Sequence, residues 1–296
     1  MMINRNFKDF KFRHKRSKNQ IIYKSKKIKD DQEILNLIDN FLKEKNSFIF
    51  ESVEKGVIKG RYTIFGKNPD KIWEFNNKSS YLISNNKKKK IKGEPKNIIE
   101  NIIENFKFDT PSSLPPICSL ISGYFSYDSI RYIEKIPNKC NDDLKLPDVR
   151  LLRPRTLIIH DNLKKKIFYI INVFKDEKIY NYQKKYSEIK KEIEKLLTQS
   201  ATKYNHLIPS INNKKIKVRS NTSKKKFINM INKAKNYIKI GDIFQVVLSQ
   251  RFEAKLSKKP LDIYKKLRIT NPSPFMYFFN FSDFQIIGAS PEILVR

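Results

Sequence analysis

Glycine is rare in this chain, seven in 296 residues, and cysteine and histidine are rarer still. Two cysteines, Cys118 and Cys140, cannot frame a disulfide scaffold, and three scattered histidines, His14, His160 and His206, make no metal-ligand cluster. A reducing compartment, the cytoplasm, fits both absences. No run approaches the roughly 18 apolar residues of a membrane span, and residues 1–20 lack the apolar core of a signal peptide. The basic run Lys11-Phe12-Arg13-His14-Lys15-Arg16 is broken by an aromatic ring and reads as a solvated edge rather than a targeting peptide. No internal repeat is present.

Negative charge is also in short supply: 30 Asp and Glu face 62 Lys and Arg, a formal net charge of +32. That balance ordinarily suggests a nucleic-acid or acidic-membrane partner. Here lysine, asparagine and isoleucine are abundant throughout while glycine is scarce, the pattern of a proteome drifting toward A- and T-rich codons. Charge spread evenly is screened beyond roughly 8 Å in physiological salt, so it gathers anions without choosing among them. No helix-turn-helix, RNA-recognition or zinc signature accompanies it. We therefore expect no nucleic-acid partner and no membrane; a basic nucleic-acid binder would have to show steeply salt-dependent binding with sequence preference.

What is present is a globular sequence, 39% hydrophobic with 21 Phe and 14 Tyr, long enough for one large domain or two packed units. Ile34, Leu35, Ile38, Phe41 and Leu42 fall at helical spacing over residues 31–43. Residues 48–53 and 60–66 read as strands, and 72–75 with 81–84 as a hairpin ending in an exposed loop tip, Lys87 to Lys90. Ile98, Ile99, Ile102 and Ile103 predict a helix over 95–106, closed by the proline-rich stretch 111–116. Residues 121–128 form a glycine-interrupted aromatic strand suited to close backbone packing. Residues 156–160 and 166–173 make a second hairpin around Asp161-Asn162, so the sheet is expected to be antiparallel. Tyr182, Tyr186, Ile189, Ile193 and Leu196 then stripe a charged surface helix.

Periodicity fades over 198–219, which gives a division into residues 1–200, a linker 201–219, and 220–296. The last part opens with a helix capped by Asn221 or Thr222, carrying Phe227, Ile231, Ala234 and Ile238, and closed by Gly241. From Ile243 the period becomes two, predicting a strand with Phe244, Val246, Leu248 and Gln250 toward the core. A short helix over 263–267 precedes a hairpin of 275–279 and 284–287. This region holds three dense motifs in order: Gly241-Asp242-Ile243-Phe244-Gln245-Val246-Val247-Leu248-Ser249-Gln250, then Asn271-Pro272-Ser273-Pro274-Phe275-Met276, then Gly288-Ala289-Ser290-Pro291-Glu292.

With Phe50-Glu51-Ser52, Gly60 to Gly66, Gly123-Tyr124-Phe125-Ser126-Tyr127-Asp128 with Arg131 and Glu134, and Leu146-Pro147-Asp148, these motifs resemble those of anthranilate synthase component I, the large-subunit branch of the chorismate-using enzymes. The resemblance covers nearly the whole chain. It implies an α+β fold, a sandwich of antiparallel sheets flanked by helices and incomplete at the C-terminus, with residues 1–200 as the N-terminal domain and 220–296 as the start of the chorismate-binding domain. The implied activity is a lyase reaction, the first step of tryptophan biosynthesis: chorismate and ammonia give anthranilate and pyruvate. The implied partner is a glutamine amidotransferase, component II, that supplies the ammonia.

Carried over residue by residue, the resemblance assigns Glu292 as the acid that protonates the departing carbon 4 hydroxyl, a role typically worth roughly 10²–10⁴ in rate. It makes Gln245 the neutral amide at a position where water-using relatives place a lysine base. Val247 favours anthranilate over aminodeoxychorismate synthase, which commonly shows Asn there. Glu51, Ser52, Pro274, Phe275 and Met276 correspond to a feedback pocket for L-tryptophan, with Phe275 in place of the usual Tyr. Mg²⁺ is implied as cofactor, its glutamate ligands expected beyond Arg296, so the chain is expected to be inactive alone. Two alternatives stand beside this reading: aminodeoxychorismate synthase component I, and a non-catalytic module that keeps only tryptophan binding.

Overall fold

The computed structural model describes residues 3–28, 32–52, 60–77, 79–201 and 216–293. In chain order its elements are α1 (Phe7–Lys15), β1 (Gln20–Lys27), α2 (Gln32–Phe41), β2 (Ser47–Glu51), β3 (Tyr62–Asn76), β4 (Ser79–Ser84) and β5 (Lys87–Ile91). There follow α3 (Pro95–Asn105), β6 (Ser122–Phe125), a 3-10 turn (Tyr127–Tyr132), β7 (Val149–Asp161), β8 (Lys166–Val173) and α4 (Tyr182–Ala201). The last are β9 (Val218–Ser220), α5 (Lys224–Lys239), β10 (Phe252–Ala254), α6 (Pro260–Thr270), β11 (Phe275–Asn280) and β12 (Gln285–Ser290). Two compact units result: a larger one of residues 1–207 with 264–296, and a smaller one of 208–263.

In the larger unit ten strands join in one antiparallel sheet, ordered β1-β8-β7-β3-β2-β11-β12, with β6 added beside β7, β4 beside β3, and β5 beside β4. The branching has a local cause. β3 and β7 pair from Tyr62 opposite Asp161 to Phe75 opposite Val149, and near the middle Pro69 faces Pro154 beside a register shift. Neither proline can donate a ladder hydrogen bond, and the shift re-aims both strands. On one side of this point β3 pairs with β2 and β7 with β8; on the other, β3 pairs with β4 and β7 with β6.

The two halves meet over an aromatic core. Tyr124 of β6 packs edge-on against Phe281 and Phe284 of the β11–β12 turn, with ring centroids 5.8 and 6.1 Å away. Phe48, Phe168 and Phe279 fill the space between. Gly123 lets β6 approach, since a Cβ there would lie 1.9 Å from the Arg150 carbonyl oxygen, the close contact expected from that glycine. Helices cover the outer faces; Ile189, Ile193 and Leu196 of α4 are buried.

The expected antiparallel sheet with flanking helices is therefore present, with three local corrections. Lys87 to Lys90 is a strand rather than a loop tip. Asn85 and Asn86, both at positive φ, make the tight turn preferred by hairpins, and β5 then pairs with β4 from Ser84–Lys87 to Ser80–Ile91. Lysines suit such an edge because they discourage further pairing. In the smaller unit α5 is capped by Ser223, whose hydroxyl accepts from the Lys226 amide at 3.3 Å, while the Asn221 side chain accepts from the Arg251 amide at 2.8 Å instead. Residues 243–250 are not a strand, and Phe244 is fully exposed rather than core-facing. Alternation specifies a strand only where a neighbour completes the ladder, and among the described residues of this unit only β9 and β10 pair.

Arg150 of β7 sits almost fully buried, paired with buried Glu74 of β3 and with Asp283 of the β11–β12 turn, where Nη2 donates to Oδ2 at 2.9 Å. The guanidinium also lies 4.7 Å from the Phe284 ring centre. Hydrogen bonds from Arg150 hold the Asp283 carboxyl below its ordinary range. A carboxyl depressed in the folded state contributes stability above its unfolded pKa, about 3.9, and that contribution is lost as the pH falls through the folded value. Urea denaturation of Arg150→Met is expected to show a loss of about 3–5 kcal/mol at neutral pH, with a shallower decline of stability below about pH 4.

Candidate functional site

The segments carrying Glu51 and Ser52 and the Pro-Phe-Met motif adjoin. Glu51, the last residue of β2, lies opposite Met276 on β11, and Met276 in turn lies opposite Ala289 on β12. Both Glu51 and Met276 are buried. A carboxylate in such a place must be paired and hydrogen-bonded, and α6 supplies the partners. Arg268 Nε donates to both carboxylate oxygens, at 2.9 and 3.0 Å, and the Tyr264 hydroxyl donates to Oε1.

Tyr264 and Arg268 are four residues apart and so share one face of the helix. Tyr264 is fully buried, its ring 5.6 Å from that of Phe278. Burial pushes its phenol well above the ordinary tyrosine range, and the Glu51 charge adds to this, so it remains a donor. Lys265 pairs with Asp39 of α2 on the same stretch of helix.

Strand alternation divides the five residues. Glu51 and Met276 share the face covered by α6, whereas Phe275 points to the other face with Tyr277, the partner of Phe50. Ser273 fixes the entry to β11: its hydroxyl donates to the Ser290 carbonyl and accepts from the Phe275 amide at 3.2 Å. Pro274 is half-buried and Phe275 is 37% exposed. The Ser52 hydroxyl oxygen is buried without a hydrogen-bond partner.

Glu292 stands just past β12, exposed, where its carbonyl accepts from the Ser290 hydroxyl at 3.2 Å. Gly288 on the same strand lies beneath the Tyr277 ring, which a Cβ would meet at 2.2 Å. Gln245 is exposed in the smaller unit. None of the seven residues named from sequence lines either of two clefts in the larger unit, one of about 630 Å³ between α1 and α4 and one of about 290 Å³ beside Trp73 and Arg153. Among the described residues no three His, Cys, Asp or Glu side chains converge as a metal ion would require, and no helix is long and apolar enough to cross a membrane. Tyr264 and Arg268 were not singled out from sequence; their spacing is visible there, but their partner is more than 200 residues away.

The sequence pattern of the family described as chorismate binding enzyme matches residues 60–296. Anthranilate synthase component 1 of Acetivibrio thermocellus is 38% identical over 266 residues, 88% of this chain and 54% of the relative. That of Cereibacter sphaeroides is 32% identical over 98% of this chain and 59% of the relative. The chain thus spans about half the length of the curated relatives it matches. The crystal structure of anthranilate synthase component I from Streptococcus pneumoniae is similar with a TM-score of 0.65 and 29% identity, covering 81% of this chain and 52% of that one. The menaquinone-specific isochorismate synthase of Escherichia coli, at a TM-score of 0.56 and 11% identity over 93% of this chain and 50% of that one, shares the fold alone.

Glu51→Gln keeps the size of the side chain but removes the charge that faces Arg268. Chemical denaturation is expected to show a loss of about 2 kcal/mol, below the figure for a fully buried pair because Arg268 is partly exposed.

Proposed function

The chain belongs to the family of chorismate binding enzymes, and from that premise we propose that it serves as the large subunit of an anthranilate synthase. The supporting observation is the meeting of Glu51 and Met276, 225 positions apart in sequence, on neighbouring strands of a chain similar in fold to the Streptococcus pneumoniae anthranilate synthase component I and 38% identical to the Acetivibrio thermocellus relative. In the proposed reaction ammonia bonds to ring carbon 2 of chorismate and the carbon 4 hydroxyl departs as water. Loss of the side chain as pyruvate then gives the aromatic product. Hydroxide is a poor leaving group, and Glu292, open to solvent at the end of β12, is proposed to deliver the proton that lets it leave. Gln245 is proposed to shape the pocket without acting as a base, because ammonia is already a nucleophile.

Ammonia is proposed to come from glutamine through a partner amidotransferase, component II, in the cytoplasm. Mg²⁺ would hold the substrate carboxylate; the described residues show no site that fits it, and no step above depends on it. Regulation is assigned to L-tryptophan at the junction of Glu51, Ser52, Pro274, Phe275 and Met276. Because the relatives are about twice as long as the matched region, the 296 residues are proposed to bind effector without completing turnover.

Isothermal titration with L-tryptophan is expected to show saturable binding that Ser52→Phe abolishes; no binding to the unmodified chain would sink the regulatory assignment. Incubated with chorismate, ammonium and Mg²⁺, the chain alone is expected to form no fluorescent anthranilate. A chimera joining it to the part of the Acetivibrio thermocellus relative that it does not match should form anthranilate. Glu292→Gln should lower that rate roughly 10²–10⁴-fold, and production of isochorismate or aminodeoxychorismate instead would contradict the assignment.

A further inference from the structure

One cleft of the larger unit combines an apolar lining with positive charge that its own carboxylates do not neutralise. Its position follows from the branch in the sheet. Trp73 and Phe75 of β3, with Val149 and Leu151 of β7, form a second core against which Ile98, Ile99 and Ile102 of α3 pack. Two residues before Trp73, beside the register shift at Pro69 and Pro154, Lys71 lies opposite Arg153. The cleft of about 290 Å³ is lined by this pair, by the last turn of α3 and by Lys175 and Asp176, which follow β8. Asn19 braces its rim: Oδ1 accepts from the Lys175 amide at 2.8 Å, and Nδ2 donates to the Lys107 carbonyl at 2.6 Å.

The Arg153 guanidinium is fixed on two sides. Its carbon lies 3.9 Å from the Phe174 ring centre, and Nε and Nη2 donate to the Asp70 carboxylate at 2.8 and 2.5 Å. Nη2 also donates to Asp176 at 2.9 Å, and Asp176 pairs with Lys71 as well. Three cations, Lys71, Arg153 and Lys175, thus meet two carboxylates, Asp70 and Asp176, leaving a surplus of one positive charge. Among the described residues neither the Lys175 ammonium nor Nη1 of Arg153 has a partner. The Arg153 side chain is only 11% exposed, so a charge brought to it is weakly screened. Trp73, buried, and Ile102 and Phe106, half-buried, supply the apolar lining.

We propose that this cleft binds a small aromatic monocarboxylate, its ring against Ile102 and Phe106 beside Trp73 and its carboxylate on Lys175, Lys71 and Nη1 of Arg153. The volume limits the ligand to about one ring, being at the lower end of the roughly 300–1,000 Å³ of ligand pockets. One surplus charge suits a single carboxylate, whose flat geometry matches a guanidinium. A zwitterionic amino acid would bring no net charge to that surplus, and an inorganic anion would leave the apolar lining uncovered. Neither Glu292 nor Gln245 lines the cleft, nor does any residue at the junction of β2 and β11, so the inference does not rest on the reaction or the regulation assigned above.

Trp73 is the only tryptophan in the chain, so its fluorescence reports on the cleft directly. Titration of the 296-residue chain with phenylacetate is expected to change that emission saturably; ionic strength is held constant, because the net charge of +32 gathers anions of every kind. Phenylacetamide, the neutral isostere, and inorganic phosphate should each bind at least about tenfold more weakly, a difference of about 1.4 kcal/mol. The two charge variants should move in opposite directions. Lys175→Gln removes the surplus and is expected to weaken phenylacetate binding about tenfold, whereas Asp176→Asn releases Lys71 and is expected to strengthen it about threefold. Thermal unfolding checks that both remain folded; should Asp176→Asn not fold, Lys175→Glu replaces it, with the saturable response abolished. The inference is overturned by the absence of saturable change, by equal binding of phenylacetamide or phosphate, by unchanged binding in Lys175→Gln, by unchanged or weaker binding in folded Asp176→Asn, or by a response retained in Lys175→Glu.

Discussion

The pairing of β3 with β7 is the constraint on which the larger unit depends. Two strands of 15 and 13 residues run together, and at Pro69 and Pro154 both exchange their outer neighbours. Without that exchange the strands would extend a flat sheet, leaving Tyr124 far from the β11–β12 turn. With it, a single sheet supplies both walls around Phe48, Phe168 and Phe279. The buried guanidinium of Arg150 crosses between these walls, joining Glu74 at one side to Asp283 at the other.

A second buried charge, Glu51, performs a comparable task at the margin. Arg150 and Glu51 are each surrounded by opposite charge and aromatic rings, and each fixes an element distant in sequence: the β11–β12 turn for one, α6 for the other. Buried ion pairs of this kind add little net stability over apolar contacts, but a broken one is costly, so they penalise misplaced elements more than they reward correct ones. The motif-bearing strands are held in register from two directions.

Local signals were legible in the sequence wherever local chemistry decides the structure. The Asp161-Asn162 turn, the isoleucine stripe of α3, the stripe of α4 and the close approach at Gly123 all depend on residues within a few positions or on one backbone contact. What escaped depends on a distant partner. Residues 243–250 alternate as a strand would, yet among the described residues of their unit they pair with no neighbour, and Phe244 stands in water. The proximity of Glu51 to Met276 was implied by the family resemblance alone, and the sheet's separation of Met276 from Phe275 follows only from the observed register. Tyr264 and Arg268 read as ordinary residues of a short helix until Glu51 is placed beneath them.

The lysine strand β5 bears on how such a sequence tolerates its own genome. Its course is set by the Asn85-Asn86 turn and by main-chain bonds to β4, while Lys87, Lys89 and Lys90 extend into solvent. Lysine and asparagine are both encoded by A-rich codons, so mutational drift toward them at this hairpin reinforces the turn and leaves the strand's packing untouched. Gly123 and Gly288 offer no such latitude, because any side chain would collide with a neighbouring strand. Of the seven glycines, these two sit where a larger residue would force a neighbour to move, by a backbone carbonyl at Gly123 and by the Tyr277 ring at Gly288.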